Sequence, residues 1–292
     1  MFINKPDLFS FRNTIYSHGW SELAPFSIDE KNWRLNYLFT GEEFAKPIPV
    51  RLSETPKKIK VEFLETPPAR KHQNTLRRKI AHVLRFDEDL SGFYEATLKE
   101  KSFSWMLKTK SGRLLRSASV FEDLVKTICT TNCSWSLTKN MVSNLVDKLG
   151  DTTADGRKAF PTAAAMAEAD EKFYREEVRA GYRAPYFAEL AKRVLSGEID
   201  PEEWLTSDLP TSELKKEMKK VKGVGDYAAE NLLKLVGRYD GLALDSWLRS
   251  EFYRRYNKEK KCSDKKIERF YGKFGKWQGL AIWFDMSRKW LD

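Results

Sequence analysis

The densest set of side chains able to do chemistry lies in residues 214–249, LKKEMKKVKGVGDYAAENLLKLVGRYDGLALDSWLR. Two helical patterns flank Lys222-Gly223-Val224-Gly225. Glycine tolerates positive φ, so the backbone can turn sharply there. A helix beginning at Asp226 would aim its free N–H groups and positive dipole end into that turn. Such a corner binds a phosphate through main-chain amides and reads no sequence. Lys215, Lys216, Lys219, Lys220 and Lys222 surround it. A bare Gly-x-Gly corner is also an ordinary link between two helices. Further on, Asp245 follows the apolar Leu-Ala-Leu. A carboxylate at that point is the N-cap of a helix starting near Ser246, a functional acid, or both. Tyr227 and Asn231 stand one helical turn apart and would share a face.

Two further segments carry polar residues in notable company: ICTTN (128–132) and GYRAPY (181–186). Cys129 and Cys133 have i, i+4 spacing but no matching His or Cys pair, which makes them core thiols rather than metal ligands. His18, His72 and His82 form no recognisable triad or metal set.

These residues need a scaffold, and the chain has the material for one. It has 292 residues, 41% hydrophobic and 32% charged, enough to bury a sizeable core and to exclude wholesale disorder. Its length leads to an expectation of about two domains. No window approaches the roughly 18 unbroken apolar residues of a transmembrane helix, and the first residues do not read as a signal peptide. Three cysteines are too few for a disulfide scaffold, so a reducing cytoplasm is expected. A formal charge of +10 favours a polyanionic partner, nucleic acid above all, although a merely basic surface reads the same way.

The first hundred residues read as strands and turns. WRLNYLF (33–39) and IKVEFLE (59–65) carry strand patterns, the second with Ile59, Val61 and Phe63 on one face. Prolines at 47, 49, 56, 67 and 68 punctuate this part. Helical periods follow at 76–86, 119–132 and 136–149, then in an alanine-rich stretch at 161–170. They resume at 184–197, stopping at Gly197, and at 212–221 and 226–237. The tail, 264–292, contains Trp277, Trp283 and Trp290. No internal repeat is seen.

The segment 214–249 resembles the helix–hairpin–helix DNA glycosylases, in which the hairpin is followed by a Gly/Pro-rich loop and a catalytic Asp. Here the hairpin is VKGVG (221–225) and the Asp is Asp245. ICTTN and GYRAPY resemble two turns of the 8-oxoguanine branch. The N-terminal strands fit, by character, the small β-domain of the alkyladenine and 8-oxoguanine branches. The resemblance implies an α+β chain. A β-rich domain over 1–74 would precede a two-lobed, all-helical body over 75–292, with the hairpin at 212–237. It also implies roles: Asp245 as the catalytic carboxylate, and Tyr227 and Asn231 in the base pocket. Lys222, Gly223, Val224 and Gly225 would lie on the phosphates. Asn132 would fill the gap left by the extruded base, Tyr182 would wedge into the stack, and Arg183 would contact the orphaned base.

The departures are as informative. Many members carry a lysine at the position of Tyr227, and a phenol cannot form an imine with the sugar. A monofunctional enzyme is therefore implied. Leu137 stands where a second orphan-reading Arg is expected. Lys222 and Lys234 match no motif and are expected as phosphate contacts or solvated surface. Only Cys262 follows Asp245, so no iron–sulfur cluster is expected. No cofactor is required, although the main-chain carbonyls of Lys219, Val221 and Val224 could hold a monovalent cation. The implied partner is double-stranded DNA containing a damaged base. The protein is expected to be a monomer, cytoplasmic and nucleoid-associated if bacterial. An aromatic at 227 favours alkylated purines of the 3-methyladenine type. The competing expectations are 8-oxoguanine, a uracil or thymine mismatch, a glycosylase/lyase using a displaced lysine, and a non-catalytic DNA-binding hairpin.

Overall fold

The computed structural model describes residues 1–41 and 43–291. Five short strands come first: β1 (Phe2–Asn4), β2 (Ser27–Asp29), β3 (Arg34–Phe39), β4 (Ile48–Glu54) and β5 (Lys58–Phe63). They form one antiparallel sheet in the order β1-β5-β4-β3-β2. The two strands expected from sequence are β3 and β5. On β5 the alternation buries Ile59 and Val61, and on β3 it buries Leu35, Tyr37 and Phe39. Each such side chain contributes roughly 1.5–3 kcal/mol.

β4 escaped the sequence reading because Pro47 and Pro49 mark its start. A proline cannot donate to a ladder. The Pro49 carbonyl accepts from the Leu64 N–H at 3.0 Å, so its donor-less nitrogen faces the space just beyond the end of β5. No rung is lost. β1 and β2 are three residues each, too short to show a period.

Ten helices of eight or more residues follow among the described residues. They are α1 (Gln73–Val83), α2 (Ser91–Leu98), α3 (Val120–Thr130), α4 (Trp135–Leu149), α5 (Ala184–Leu195), α6 (Thr211–Met218), α7 (Asp226–Leu235), α8 (Ser246–Tyr256), α9 (Asp264–Tyr271) and α10 (Gln278–Ser287). The alanine-rich stretch divides in two. A helix over Ala163–Ala167 ends, and Asp170 caps the next, Glu171–Glu176, by accepting the Phe173 N–H at 2.7 Å.

α3 is buried on all sides from Val120 to Cys129. Its start is held twice: Ser119 accepts the Glu122 N–H, and the Glu202 carboxylate accepts those of Val120 and Phe121 at 3.1 and 3.0 Å. Polar groups on α3 fasten the sheet side of the molecule. Tyr37 donates to Glu122 at 2.5 Å, Lys126 pairs with Glu122 at 2.6 Å, and the Trp20 indole donates to Asp123 at 2.7 Å. These buried charges are tolerable because each is hydrogen-bonded. The hydrophobic core runs without a break from Phe9 in the N-terminal region to Leu291. Residue 74 thus marks a change of secondary structure across which the core continues.

Candidate active site

Several elements meet around a cleft of about 1470 Å³. α7 supplies Tyr227, Asn231 and Lys234. The loop before α8 supplies Asp245, and the α6–α7 turn supplies Lys222 to Gly225. The α3–α4 turn supplies Asn132, and the turn before α5 supplies Tyr182. Residues spread over more than a hundred positions of sequence thus line one space.

The hairpin has the expected form. The Val224 N–H donates to the Val221 carbonyl at 3.0 Å and closes the turn. Of the two glycines only Gly223 has positive φ, +93°. A Cβ on it would lie 2.7 Å from a ring carbon of Tyr186, so the residue is required both for its backbone angle and for this close approach. Gly225 has extended backbone instead, and space opens where its Cβ would be. The lysines around the turn are paired. Lys215 and Lys219 reach Asp226 at 3.1 and 3.0 Å, and Lys222 reaches Glu189 at 3.2 Å. Exposed pairs such as Lys222–Glu189 are worth about 0–1 kcal/mol each and can be exchanged for a phosphate at little cost.

Asp245 is a cap, as its local sequence indicates. Its Oδ1 accepts the Leu248 N–H at 2.7 Å at the start of α8. That bond fixes the carboxylate beside the Tyr227 hydroxyl. The loop that delivers it is stitched down on both sides. Glu230 accepts the Ala243 N–H at 2.6 Å, and the Lys234 ammonium donates to the Leu242 carbonyl at 3.1 Å. Arg249 donates to the Leu244 carbonyl at 3.1 Å while gripping Asp264 through two bonds of 2.8 Å. Ala243 has positive φ, +52°, a strained angle for a residue with a Cβ. These anchors hold it.

Tyr227 sits beside that carboxylate. Burial, reinforced by the Asp245 charge, pushes its phenol up to about 12, so the ring presents a neutral hydroxyl at physiological pH. Asn231 lies one turn along α7, half-buried, with its amide donating to the Tyr227 carbonyl at 2.9 Å.

At the rim the α3–α4 turn meets the turn before α5. Asn132 holds φ at +46°, which asparagine tolerates better than most residues. It donates to the Tyr182 hydroxyl at 3.5 Å, and that hydroxyl also lies 3.4 Å from the Thr131 carbonyl. Tyr182 is 47% exposed. Arg183, expected on the orphaned base, is placed elsewhere: it is only 3% exposed. It donates to the carbonyls of Ile128 and Thr131, and its guanidinium backs the Tyr182 ring at 4.4 Å. In this structure it braces the turn that carries Asn132 and Tyr182. Leu137 is exposed nearby.

Lys234 corrects a second expectation. It is neither solvated nor free to meet a phosphate, being 2% exposed at the deep side of the cleft. Burial lowers its pKa to about 8 against the raising influence of Glu230 and Asp245. Sequence reasoning also passed over Tyr186, whose ring fills the space at Gly223. It passed over the tryptophan group as well: Trp247 stacks on Trp290 at 4.9 Å, and Trp283 lies 5.9 Å from Trp247. Spacing could not reveal this group, because its members come from three separate elements. Cys129 is fully buried, with its thiol pushed up to about 12 by burial, and is inert. Among the described residues no three His, Cys, Asp or Glu gather as metal ligands. No helix there is long and apolar enough to cross a membrane.

The architecture is similar to that of solved DNA glycosylases. The 3-methyladenine DNA glycosylase of Archaeoglobus fulgidus superposes with a TM-score of 0.76 at 19% identity, covering 99% of this chain and 98% of that one. The Clostridium acetobutylicum 8-oxoguanine glycosylase/lyase, bound to double-stranded DNA with cytosine opposite 8-oxoguanine, superposes with a TM-score of 0.70. It is 20% identical over 99% of this chain and 98% of that one. The chain therefore has the fold these enzymes share. In sequence it is 24% identical to a probable N-glycosylase/DNA lyase of Methanothermobacter thermautotrophicus over 201 residues, 61% of this chain. The match spans 63% of that relative's length. No family model matches the sequence.

Proposed function

We propose that the chain is a monofunctional base-excision DNA glycosylase that acts on double-stranded DNA as a monomer. The observation that carries this reading is the meeting of Asp245 and Tyr227 in one cleft beneath the Asn132–Tyr182 rim. The hairpin amides hold backbone phosphates while Tyr182 and Asn132 enter the stack and the damaged nucleotide rotates out. The base moves into the cleft past Tyr227 and Asn231. As the N-glycosidic bond breaks, the base departs with the bonding electron pair and the sugar gains oxocarbenium character. The Asp245 carboxylate stabilises that charge and takes a proton from the water that adds to C1′. No cofactor is required for these steps. The main-chain carbonyls of Lys219, Val221 and Val224 are the site we assign to a monovalent cation. The Val221 carbonyl, which accepts one N–H, keeps a lone pair for it.

Asp245→Asn tests the reading cleanly, because asparagine caps helices as well as aspartate does. The variant should bind a lesion duplex like the parent and lose most base release in a single turnover. Retained release would refute the role.

One observation favours a second reading. Lysines do line the cleft, the buried Lys234 among them, and the curated relative is described as a probable N-glycosylase/DNA lyase. A displaced lysine would form an imine with the sugar and then break the strand. Borohydride trapping of a covalent protein–DNA species separates the two readings.

A further inference from the structure

The lesion is the part of this reading that the active-site carboxylate does not decide, and Lys234 bears on it. Tyr227, Asn231 and Lys234 occupy positions i, i+4 and i+7 of α7, so they form one stripe along the face that lines the cleft. Tyr227 stands beside Asp245, and Lys234 is the most buried of the three. Its ammonium has three donors. Among the described residues one acceptor meets it, the Leu242 carbonyl, and no carboxylate lies within ion-pair distance. Lys126, the other lysine buried as deeply, is instead neutralised by Glu122 at 2.6 Å. The ammonium lies 5.5 Å from the centre of the Trp283 ring, and that indole is pinned by its N–H donating to the Ser17 carbonyl at 2.7 Å. One of the electron-rich rings lining the cleft, the one nearest the ammonium, therefore already serves the protein's own cation.

The rest of the lining agrees. Ser21 and Thr127 are 2% and 1% exposed, yet their hydroxyls make no hydrogen bond among the described residues. Both line the same cleft. Buried hydroxyls without partners are uncommon, and here they are available to a ligand that carries donors and acceptors.

We propose that Lys234 selects the base, donating to a carbonyl oxygen or lone-pair nitrogen of the flipped nucleobase. The substrate class is then a neutral, carbonyl-bearing base, such as an oxidised or deaminated purine or a uracil or thymine mispair. A cationic N-alkylated purine is disfavoured by like charge. This inference rests on the glycosylase reading and replaces the alkylpurine preference drawn from the aromatic at 227. A stacking aromatic tolerates any base, whereas a fixed positive charge does not.

The test is single-turnover release from duplexes carrying 8-oxoguanine, hypoxanthine, uracil, a thymine mismatch, 3-methyladenine or 7-methylguanine. It compares the parent protein with Lys234→Met and Lys234→Gln. The parent should release one or more neutral bases and discriminate strongly against the two alkylpurines. Lys234→Met should slow release of the neutral base by about 10- to 100-fold, the loss of one hydrogen bond from a charged donor. Lys234→Gln, which keeps a donor, should recover part of that rate. Binding to an abasic duplex should be unchanged in both. Alkylpurine release by the parent at a comparable rate would overturn the proposal while leaving the glycosylase reading intact. So would an equal slowing of every base, or borohydride trapping that disappears in Lys234→Met. No release of any base by the parent would instead refute the glycosylase reading, and the role of Lys234 with it.

Discussion

A lysine placed for selectivity rather than stability should leave a thermodynamic trace, and Lys234→Met is the substitution that exposes it. Burial lowers the Lys234 pKa from the ordinary 10.5 to about 8. At ~1.4 kcal/mol per pH unit, the charged form costs the folded state about 3 kcal/mol at neutral pH. Methionine removes that cost and fills a similar volume. It also leaves the Leu242 carbonyl without its donor, a loss of about 1–3 kcal/mol. The balance leaves the variant as stable as the parent, or up to about 2 kcal/mol more stable. For a chain of this length that is a gain in Tm of at most about 4 °C. An ordinary large buried side chain would lose stability on replacement.

The pH dependence sharpens this prediction. The folded pKa is below the unfolded one, so between about 8 and 10.5 the unfolded chain binds the proton that the folded chain has released. Parent stability relative to the variant must therefore rise with pH in that window. Among the groups facing Lys234, the Glu230 and Asp245 carboxylates raise its pKa, and burial outweighs them. His18 does not titrate in this window, because burial holds its own pKa at about 4. From pH 7 to 10 the difference between the two proteins should shift by about 2–3 kcal/mol in favour of the parent. Denaturant melts of both proteins at matched pH measure it. A gap that stays constant with pH, or a variant destabilised by several kcal/mol at pH 7, would refute the reasoning.

Other substitutions separate structure from chemistry. Asp245→Ala should lose about 1 kcal/mol of stability with the α8 cap, where Asp245→Asn loses little; thermal melts distinguish them. Gly223→Ala must place a Cβ 2.7 Å from Tyr186 at a φ of +93°, so it should weaken duplex affinity at least tenfold by titration and cost about 1–3 kcal/mol. Arg183→Ala should free the Asn132 turn from its carbonyl bonds. Lesion-duplex binding should weaken without a change in opposite-base preference, and a change confined to one opposite base would put Arg183 on that base instead.

Residues that make local structure were legible from sequence because their signals are local. Two glycines and a following helix announced the hairpin, and Asp245 before Ser-Trp-Leu announced a cap. The alternation of Ile59 and Val61 announced a strand. β4 was hidden because its prolines are tolerated only by virtue of where β5 ends, which is a fact about pairing. Arg183 is expected on the orphaned base only through the resemblance of GYRAPY to a family turn, and local sequence carries no sign of its burial. The carbonyls that bury it belong to Ile128 and Thr131, some fifty residues earlier. Lys234 is expected on a phosphate or in solvent because it matches no motif. Nothing in its neighbours along the chain shows that Trp283 and the Leu242 carbonyl close over it. The tryptophan group is assembled wholly by tertiary packing.

Under the proposed function, Asp245 drives hydrolysis of an N-glycosidic bond with no imine formed. The most direct test is single-turnover base release from the lesion panel, each reaction divided and read with and without hot alkali, for the parent and Asp245→Asn. Strand breaks should appear only after alkali in the parent and be almost absent in the variant, at equal duplex affinity. Breaks without alkali, or undiminished release by Asp245→Asn, would contradict it.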